Sequence, residues 1–198
     1  MNHDLTPKYW NDRYLSDNFA WDLGSISTPL KAYFDQLENK NAAILIPGAG
    51  NAYEAEYLLS KGFTNVYVCD IAEITLKNLK QRCPAFKDEQ LLLIDFFKLD
   101  HLTFDLIIEQ TFFCALHPSL RKQYFEKMHE LLKPNGKLVG VMFNDVLNAD
   151  QPPFGGNDKE YRAYFETLFT VKTFEACYNS IKPRAGRELF INLVPAGK

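Results

Sequence analysis

Glycines and carboxylates follow three successive apolar segments of this chain. Residues 44–50, with the sequence ILIPGAG, run from apolar residues into a glycine turn. Asp70 follows the next apolar segment, and Asp95 with Phe96 follows the one after it. Glycines let backbone N–H groups approach a ligand that a Cβ would keep away, and a carboxylate after a second strand can accept hydrogen bonds from ribose hydroxyls. Asp95 could accept from an exocyclic amine while Phe96 packs against a flat base, so the three segments together predict a site for a nucleoside-bearing cofactor.

Each of these features has an ordinary structural explanation when it is taken alone. A Gly-x-Gly turn joins many strands to helices without binding anything. Asp70 is also well placed to cap the helix predicted after it, and it can fill both roles at once. The recurrence of a suitable group after three neighbouring strands is what favours a cofactor site.

The glycine spacing indicates which cofactor the site takes. A dinucleotide site has a third glycine, in Gly-x-Gly-x-x-Gly, and this chain has Tyr53 at that position. S-Adenosylmethionine carries no phosphate and needs no third glycine, although its adenine, ribose and amino-acid tail require the groups described above. The sequence therefore predicts S-adenosylmethionine as the cofactor and S-adenosylhomocysteine as the product, in preference to NAD.

The elements that would position these residues alternate between short apolar strands and helices, which is typical of a doubly wound α/β sheet. Strands are predicted at residues 42–46, 65–69, 90–94, 104–108 and 137–143. Helices are predicted at residues 8–16, 29–37, 52–61, 72–82, 118–132 and 157–168, with a turn at 133–136 after the fifth. Only a short segment separates the last two strands, 169–178 and 188–194, so we expect them to pair antiparallel. The predicted fold is a mostly parallel, Rossmann-like sheet with an antiparallel C-terminal hairpin.

Length and composition favour one globular domain over residues 1–198. Hydrophobic residues make up 46% and charged residues 24%, and the net charge of −3 comes from acids and bases mixed along the chain. This pattern has no basic stripe for a phosphate backbone, so nucleic acid is not an expected partner. The apolar runs are too short to span a bilayer, and residues 1–14 lack the apolar core of a signal peptide, so we expect neither a membrane partner nor secretion.

Cysteine and histidine spacing argues against a metal site. The four cysteines contain no Cys-x-x-Cys pair, and His3, His101 and His129 have no metal-ligand spacing. Scattered cysteines also fit a reducing compartment, so we expect a cytoplasmic protein.

At these residues the chain resembles the thiopurine methyltransferase superfamily of class I S-adenosylmethionine-dependent methyltransferases. It is most similar to the branch of thiol, halide and thiocyanate methyltransferases, and the likeness runs over most of the chain. The matching segments are WNDRY (10–14), WDLG (21–24), IPGAG (46–50), FDLII (104–108), FFCAL (112–116), LLKPNG (131–136) and PPF (152–154). The two glycine-bearing turns are general to class I enzymes, whereas the Trp-rich start and the FFCA segment are far more specific.

The resemblance implies that an N-terminal helix and lid, residues 1–28, close over the cofactor. Trp10, Tyr14 and Trp21 would face it, and Tyr14 departs from the tryptophan that family members tend to carry there. Aromatic faces attract a sulfonium cation by roughly 0.5–2 kcal/mol each when water is excluded. Trp10 and Tyr14 share a face of one helix. Periodicity alone favours a core stripe of that helix, and the resemblance favours the lid.

The other cofactor contacts that the resemblance implies fall at the ends of the predicted strands. They are Gly48, Gly50, Asp70, Ile71, Asp95, Phe96 and Gln110. Gln110 stands where an aromatic residue is frequent in the family.

The expected partner is a small methyl acceptor with a soft nucleophile: a thiol, thiocyanate, a halide or a thiopurine-like sulfur. Such a nucleophile needs a shaped pocket that excludes water and no dedicated base. Phe112, Phe113 and Phe154 are candidates for the pocket walls, with core packing as the alternative. The thiopurine branch carries an arginine just after strand four that this chain lacks, which argues against a thiopurine drug as the natural acceptor.

No catalytic acid or base is predicted. Cys114 is expected to be a small buried residue and His117 a helix cap. Two alternative functions stay open: methylation of oxygen or nitrogen, for which Glu109 is the first candidate base, and a non-catalytic module that binds S-adenosylmethionine.

Overall fold

The computed structural model describes residues 5–198, so Met1–Asp4, including His3, lie outside the described residues. The helices are α1 (Pro7–Leu15), α2 (Thr28–Phe34), α3 (Tyr53–Ser60), α4 (Glu73–Arg82), α5 (Arg121–Leu131) and α6 (Asp158–Phe165). The strands are β1 (Ile44–Pro47), β2 (Val66–Asp70), β3 (Leu91–Leu93), β4 (Phe104–Gln110), β5 (Leu132–Phe143), β6 (Phe169–Ala176) and β7 (Glu188–Pro195).

These strands form one sheet in the order β3-β2-β1-β4-β5-β7-β6. The five strands from β3 to β5 are parallel, and β7 pairs antiparallel with both β5 and β6. The predicted fold class, a mostly parallel sheet with an antiparallel C-terminal hairpin, is confirmed. A single 3-10 turn, Phe96–Lys98, stands between β3 and β4 in place of a crossover helix.

Alternating residues of the central strands build a core on each face of the sheet. Ile44 and Ile46 of β1 pack on the face covered by α2, α3 and α4. Leu45 points to the opposite face, where α5 and α6 contribute Phe125 and Phe165. The period of two along each strand thus buries both faces, as parallel sheets require.

β5 begins at Leu132 and not at residue 137 as predicted, so residues 133–136, predicted as a turn before the strand, form a bulge inside it. Phe104 of β4 pairs with Leu132, and Leu106 then pairs with Lys137, so β5 has extra residues between two paired positions. Asn135 lies at φ +63°, the left-handed conformation that a tight bulge of this kind needs. The strand pairing starts before the turn because Leu132 is buried against β4.

The carboxyl ends of β1, β2, β3 and β4 meet at one edge of the sheet. Gly48 N donates to Cys69 O at 2.9 Å, which places the glycine turn beside the end of β2. Ile94 N donates to Asp70 O at 3.1 Å, which places the end of β3 on the other side. This edge of an open α/β sheet is where ligands bind.

No helix among residues 5–198 is both long enough and apolar enough to cross a membrane.

Candidate active site

A cleft of about 890 Å³ opens at the carboxyl edge of the sheet. A cavity of this size accommodates a nucleoside with an amino-acid tail and a small second ligand. The predicted cofactor contacts all line it: Trp10, Tyr14, Trp21, Gly48, Gly50, Asp70, Ile71, Asp95, Phe96 and Gln110. The sequence prediction therefore named residues that the fold brings together.

The glycine turn is left-handed at both glycines. Gly48 has φ +61° and Gly50 has φ +53°, where L side chains are strained. A Cβ on Gly48 would come within 2.2 Å of Phe112 Cδ2, and one on Gly50 would come within 3.1 Å of Tyr14 Oη. The glycines are needed because the protein's own aromatic rings approach the turn, a reason that the sequence pattern did not reveal.

Asp70 ties the end of β2 to the glycine turn. Its carboxylate accepts from Ala72 N at 2.7 Å and from Gly50 N at 3.3 Å. Burial raises the pKa of Asp70, and these two N–H groups oppose that rise. Asp70 does not cap α4: the N-cap position is Ala72, and the free N–H of Ile74 is capped by Asn11 Oδ1 at 3.1 Å.

Asp95 and Phe96 begin the 3-10 turn after β3. The Asp95 carboxylate accepts from Phe97 N at 3.0 Å and lines the cleft. Phe96 is buried against Phe112, with ring centroids 5.3 Å apart, and against Tyr124. Phe96 therefore has both the core role and a place at the cleft wall.

Gln110, at the end of β4, has a buried Oε1 without a hydrogen-bond partner. A buried amide oxygen left unpaired is costly, and Gln110 lines the cleft, so a ligand bound there would be placed to supply the missing donor. The ammonium group of S-adenosylmethionine is such a donor. The carboxylates of Asp70 and Asp95 and the aromatic rings of the cleft also suit a positively charged nucleoside, so the residues present fit this cofactor.

Three aromatic rings of the N-terminal segment cover one side of the cleft. Trp21 packs edge-on against Trp10 and against Tyr14, each with ring centroids 5.8 Å apart, and Trp21 Nε1 donates to Tyr14 Oη at 3.2 Å. Burial raises the pKa of Tyr14 well above its ordinary value. None of the residues of α1 is fully buried, however, which is unlike a helix that contributes a core stripe.

Side chains from distant parts of the chain hold this segment in place. Asn11 caps α4, as described above, and Asp22 accepts a short hydrogen bond from Asn51 in the glycine turn. Arg184, which is 8% exposed, donates to Trp21 O at 2.7 Å and pairs with Glu188 at 3.2 Å. Sequence reasoning missed Asn11, Asn51 and Arg184 because their partners come from other elements.

The three phenylalanines predicted for the acceptor pocket separate in the structure. Phe112 lines the cleft, whereas Phe113 and Phe154 do not. Phe113 is buried against Tyr124 and Tyr161, with centroids 4.9 Å and 5.1 Å away, so its role is the core packing named as the alternative. Phe154 is buried as well.

Cys114 and His117 behave as the sequence predicts. Burial raises the pKa of the Cys114 thiol to about 12, which keeps it protonated and poorly nucleophilic. His117 Nδ1 accepts from Ser119 N at 3.3 Å and so caps the 3-10 turn Pro118–Leu120. His117 also lines the cleft, which its role as a cap did not indicate.

Glu109 does not face the cleft, although it was the first candidate for a base. Its carboxylate is buried behind the cleft wall and accepts hydrogen bonds from Phe112 N, Phe113 N and Tyr124 Oη. Burial raises the pKa of Glu109 to about 7. The carboxylate is occupied in holding the protein's own backbone.

Comparison with known proteins decides the family. A family model described as thiopurine S-methyltransferase matches residues 5–190. The chain belongs to the thiopurine S-methyltransferase family. It is 31% identical over 189 residues to probable thiol methyltransferase 2 of Arabidopsis thaliana, covering 90% of this chain and 81% of that protein. It is 26% identical over 187 residues to thiocyanate methyltransferase 1 of the same plant, with 90% and 81% covered. Thiopurine S-methyltransferase of Pseudomonas fluorescens (strain SBW25) is 26% identical over 191 residues, with 87% of each chain covered.

Solved structures confirm the class I fold of this family member. 1,6-Didemethyltoxoflavin-N1-methyltransferase of Burkholderia thailandensis, solved with S-adenosylhomocysteine, superposes with a TM-score of 0.75 at 20% identity, covering 96% of this chain and 86% of that one. A TehB-like methyltransferase of Corynebacterium glutamicum gives a TM-score of 0.66 at 16% identity, with 95% of each chain covered. The chain is thus an S-adenosylmethionine-dependent methyltransferase, as predicted.

The raised pKa of Glu109 makes the stability of the protein depend on pH. Between pH 4.5 and about 7 the folded carboxyl holds a proton that the unfolded chain has released, so the free energy of unfolding falls as the pH rises through this range. Glu109→Gln cannot ionise, so its free energy of unfolding should fall less over this range. The difference should be about 3 kcal/mol, which corresponds to a pKa raised by roughly two to three units. Urea unfolding at a series of pH values measures it, with exposed Glu126→Gln as the control. If the free energy of unfolding fell equally with pH in Glu109→Gln and in the wild type, the raised pKa of Glu109 would be contradicted.

Proposed function

We propose that this enzyme transfers the methyl group of S-adenosylmethionine directly to a small sulfur nucleophile, a thiolate or thiocyanate, with halide as a further acceptor. The names of two relatives, a probable thiol methyltransferase and a thiocyanate methyltransferase, support this acceptor class. The observation that carries the proposal is the chemistry of the cleft. Apart from the predicted cofactor contacts, the lining of the cleft is rich in apolar residues, among them Phe97, Leu116, Leu120 and the Pro152-Pro153 pair.

No group among the described residues of that lining is arranged to take a proton from an acceptor. The Cys114 thiol is held protonated, and Glu109 lies behind the wall. His117 Nδ1 is occupied by Ser119, whose backbone N lies 3.3 Å away and whose Oγ lies 2.8 Å away. An acceptor therefore has to arrive as a nucleophile, which a thiolate, thiocyanate or a halide does.

The cofactor contacts proposed here follow the order of the strands. The Asp70 carboxylate would accept from the ribose hydroxyls, and Asp95 would accept from the adenine amine beside the edge of Phe96. Gln110 Oε1 would accept from the ammonium group of the methionine portion, which supplies the donor that this buried atom lacks. The backbone of Gly48–Gly50 would pass closest to the ligand.

For this reaction the protein has to orient the cofactor and the acceptor and to exclude water from between them. The bound cofactor supplies an activated methyl group. Asp70, Asp95 and Gln110 would hold the adenosine and the amino-acid tail at three points, and Phe112 lines the same cleft. Orientation of this kind contributes up to roughly 7–11 kcal/mol in ideal intramolecular reactions.

We further propose that residues 1–28 act as the lid over the cofactor and that the enzyme works in the cytoplasm. The partial exposure of α1 supports the first point, because its aromatic face would gain a partner from a ligand in the cleft. The free state of Cys69, Cys83, Cys114 and Cys177 supports the second. Recovery of the native protein in a secreted fraction would contradict the location.

Release of S-adenosylhomocysteine across a panel of acceptors tests the proposed function. We expect turnover with hydrosulfide, aromatic thiols, thiocyanate and iodide, and none above background with catechols or primary amines. Thiol turnover should rise with pH through the pKa of the thiol, because the enzyme supplies no base, while thiocyanate turnover should not follow that titration. Turnover of only oxygen or nitrogen acceptors would contradict the proposal, and tight binding of S-adenosylmethionine without any turnover would favour a binding module.

Asp70→Ala should weaken the binding of S-adenosylhomocysteine by about 10- to 100-fold, since a hydrogen bond to a charged group contributes roughly 1.5–3 kcal/mol. Calorimetric titration measures the affinity. Asp105→Ala is the matched control, because Asp105 also accepts from a backbone N–H, that of Ala43, but at the opposite edge of the sheet. Unchanged affinity in folded Asp70→Ala would defeat the ribose assignment.

Trp10→Ala should lower the affinity for S-adenosylhomocysteine by about 3- to 30-fold, the equivalent of one cation–aromatic contact and its covered area. The melting temperature of the ligand-free protein should change little, because Trp10 is only partly buried. Leu15→Ala, on the same helix and 69% exposed, is the control for helix stability. If Trp10→Ala lowers the melting temperature strongly and leaves the affinity intact, Trp10 belongs to the core and not to a lid.

A further inference from the structure

Glu109 lies outside the cleft, yet it holds the backbone turn that forms one of the cleft walls. The residue is 1% exposed. Its Oε1 accepts from both Phe112 N, at 2.8 Å, and Phe113 N, at 3.0 Å. Its Oε2 accepts from Tyr124 Oη at 2.6 Å. One carboxylate thus joins two successive amides of the turn to α5.

The turn that these bonds hold has a strained backbone. Thr111, between Gln110 and Phe112, has φ +59°, and a β-branched residue adopts this left-handed conformation only when its surroundings enforce it. The residue after Thr111 is Phe112, and the N–H groups of Phe112 and Phe113 donate the two hydrogen bonds to Glu109. They are therefore placed to enforce the conformation of Thr111.

The other side of the same turn is the cleft. Gln110 lines the cleft, and its buried Oε1 has no hydrogen-bond partner. The Phe112 ring leaves no room for a Cβ on Gly48. Behind the turn, a Cβ on Gly140 of β5 would lie 2.1 Å from Glu109 O, so Glu109 is pressed closely against the neighbouring strand. Because the Glu109 carboxylate bonds to Phe112 N and the Phe112 ring packs against Gly48, a displacement of the carboxylate would shift both the Gln110–Phe112 turn and the glycine turn.

We propose that Glu109 is a positioning residue for methyl transfer: from behind the cleft wall, its carboxylate sets the Gln110–Phe112 turn in the conformation that receives the cofactor and the acceptor. The acceptor's identity does not enter this proposal. Glu109 acts through Gln110 and Phe112 and touches neither ligand itself. Supporting residues of this kind control reactivity because displacements on the order of 1 Å can change rates by about 100-fold.

Three variants separate positioning from simple support of the fold. In Glu109→Met the side chain has a similar length but no oxygen to accept hydrogen bonds from Phe112 N and Phe113 N. Glu109→Gln keeps one amide oxygen that can accept both. Tyr124→Phe removes the third hydrogen bond and leaves the bonds to Phe112 N and Phe113 N in place.

Amide hydrogen exchange, binding and turnover are then measured on each folded variant, with binding and exchange independent of any acceptor. In the ligand-free wild type we expect the amides of Phe112 and Phe113 to exchange slowly, as buried bonded groups do. Glu109→Met should lose this protection, bind S-adenosylhomocysteine about 10-fold more weakly and turn over about 10- to 100-fold more slowly. Glu109→Gln should stay within about 3-fold of the wild type in affinity and turnover, and so should Tyr124→Phe, even where its melting temperature falls.

Either of two results would overturn the proposal. One is a folded Glu109→Met protein whose affinity and turnover match those of the wild type, whether or not its melting temperature falls. The other is fast exchange of the Phe112 and Phe113 amides in the wild type, which needs no variant and decides the matter if Glu109→Met does not fold. Loss of activity in the acceptor panel, by contrast, would reject the proposed acceptors and leave the exchange and binding results to stand on their own.

Discussion

Parallel pairing of neighbouring strands is the constraint on which the rest of the site depends. Pro47 of β1 lies in register with Cys69 of β2, and Asp70 lies in register with Leu93 of β3. Since all these strands run in one direction, the segment that follows each of them emerges at the same edge. The glycine turn, two carboxylates and the amide of Gln110 therefore surround one cleft although they are far apart in the chain.

The N-terminal segment and the wall at Phe112 differ in how firmly the protein holds them. The N-terminal segment keeps its aromatic residues only partly buried, so a ligand can complete their packing, while Asn11 and Arg184 hold the segment close to the cleft. At the Phe112 wall, by contrast, a buried carboxylate accepts hydrogen bonds from the backbone N–H groups of Phe112 and Phe113. A wall held by hydrogen bonds, opposite a partly buried aromatic segment, suits a reaction that requires alignment and the exclusion of water.

Local pattern was sufficient to predict the strands, their order of appearance and the residues at their ends. Strand periodicity and the short final connection predict the fold, and the rule about carboxyl ends predicts that Asp70 and Asp95 meet. What could not be predicted depends on partners distant in sequence. Phe113 and Phe112 are adjacent and chemically identical, and Phe113 enters the core because it packs between Tyr124 of α5 and Tyr161 of α6. The sequence makes Glu109 a candidate base, because nothing in it shows that the carboxylate accepts hydrogen bonds from the backbone N–H groups of Phe112 and Phe113.

The most direct test of the account is a crystal structure of this chain with S-adenosylhomocysteine bound. The account predicts ribose hydroxyls within hydrogen-bonding distance of the Asp70 carboxylate, adenine beside Asp95 and Phe96, and the amino group of the ligand on Gln110 Oε1. Adenosine bound elsewhere, or bound in the cleft with Asp70 turned away from the ribose, would contradict the claim that the ends of the parallel strands form the cofactor site.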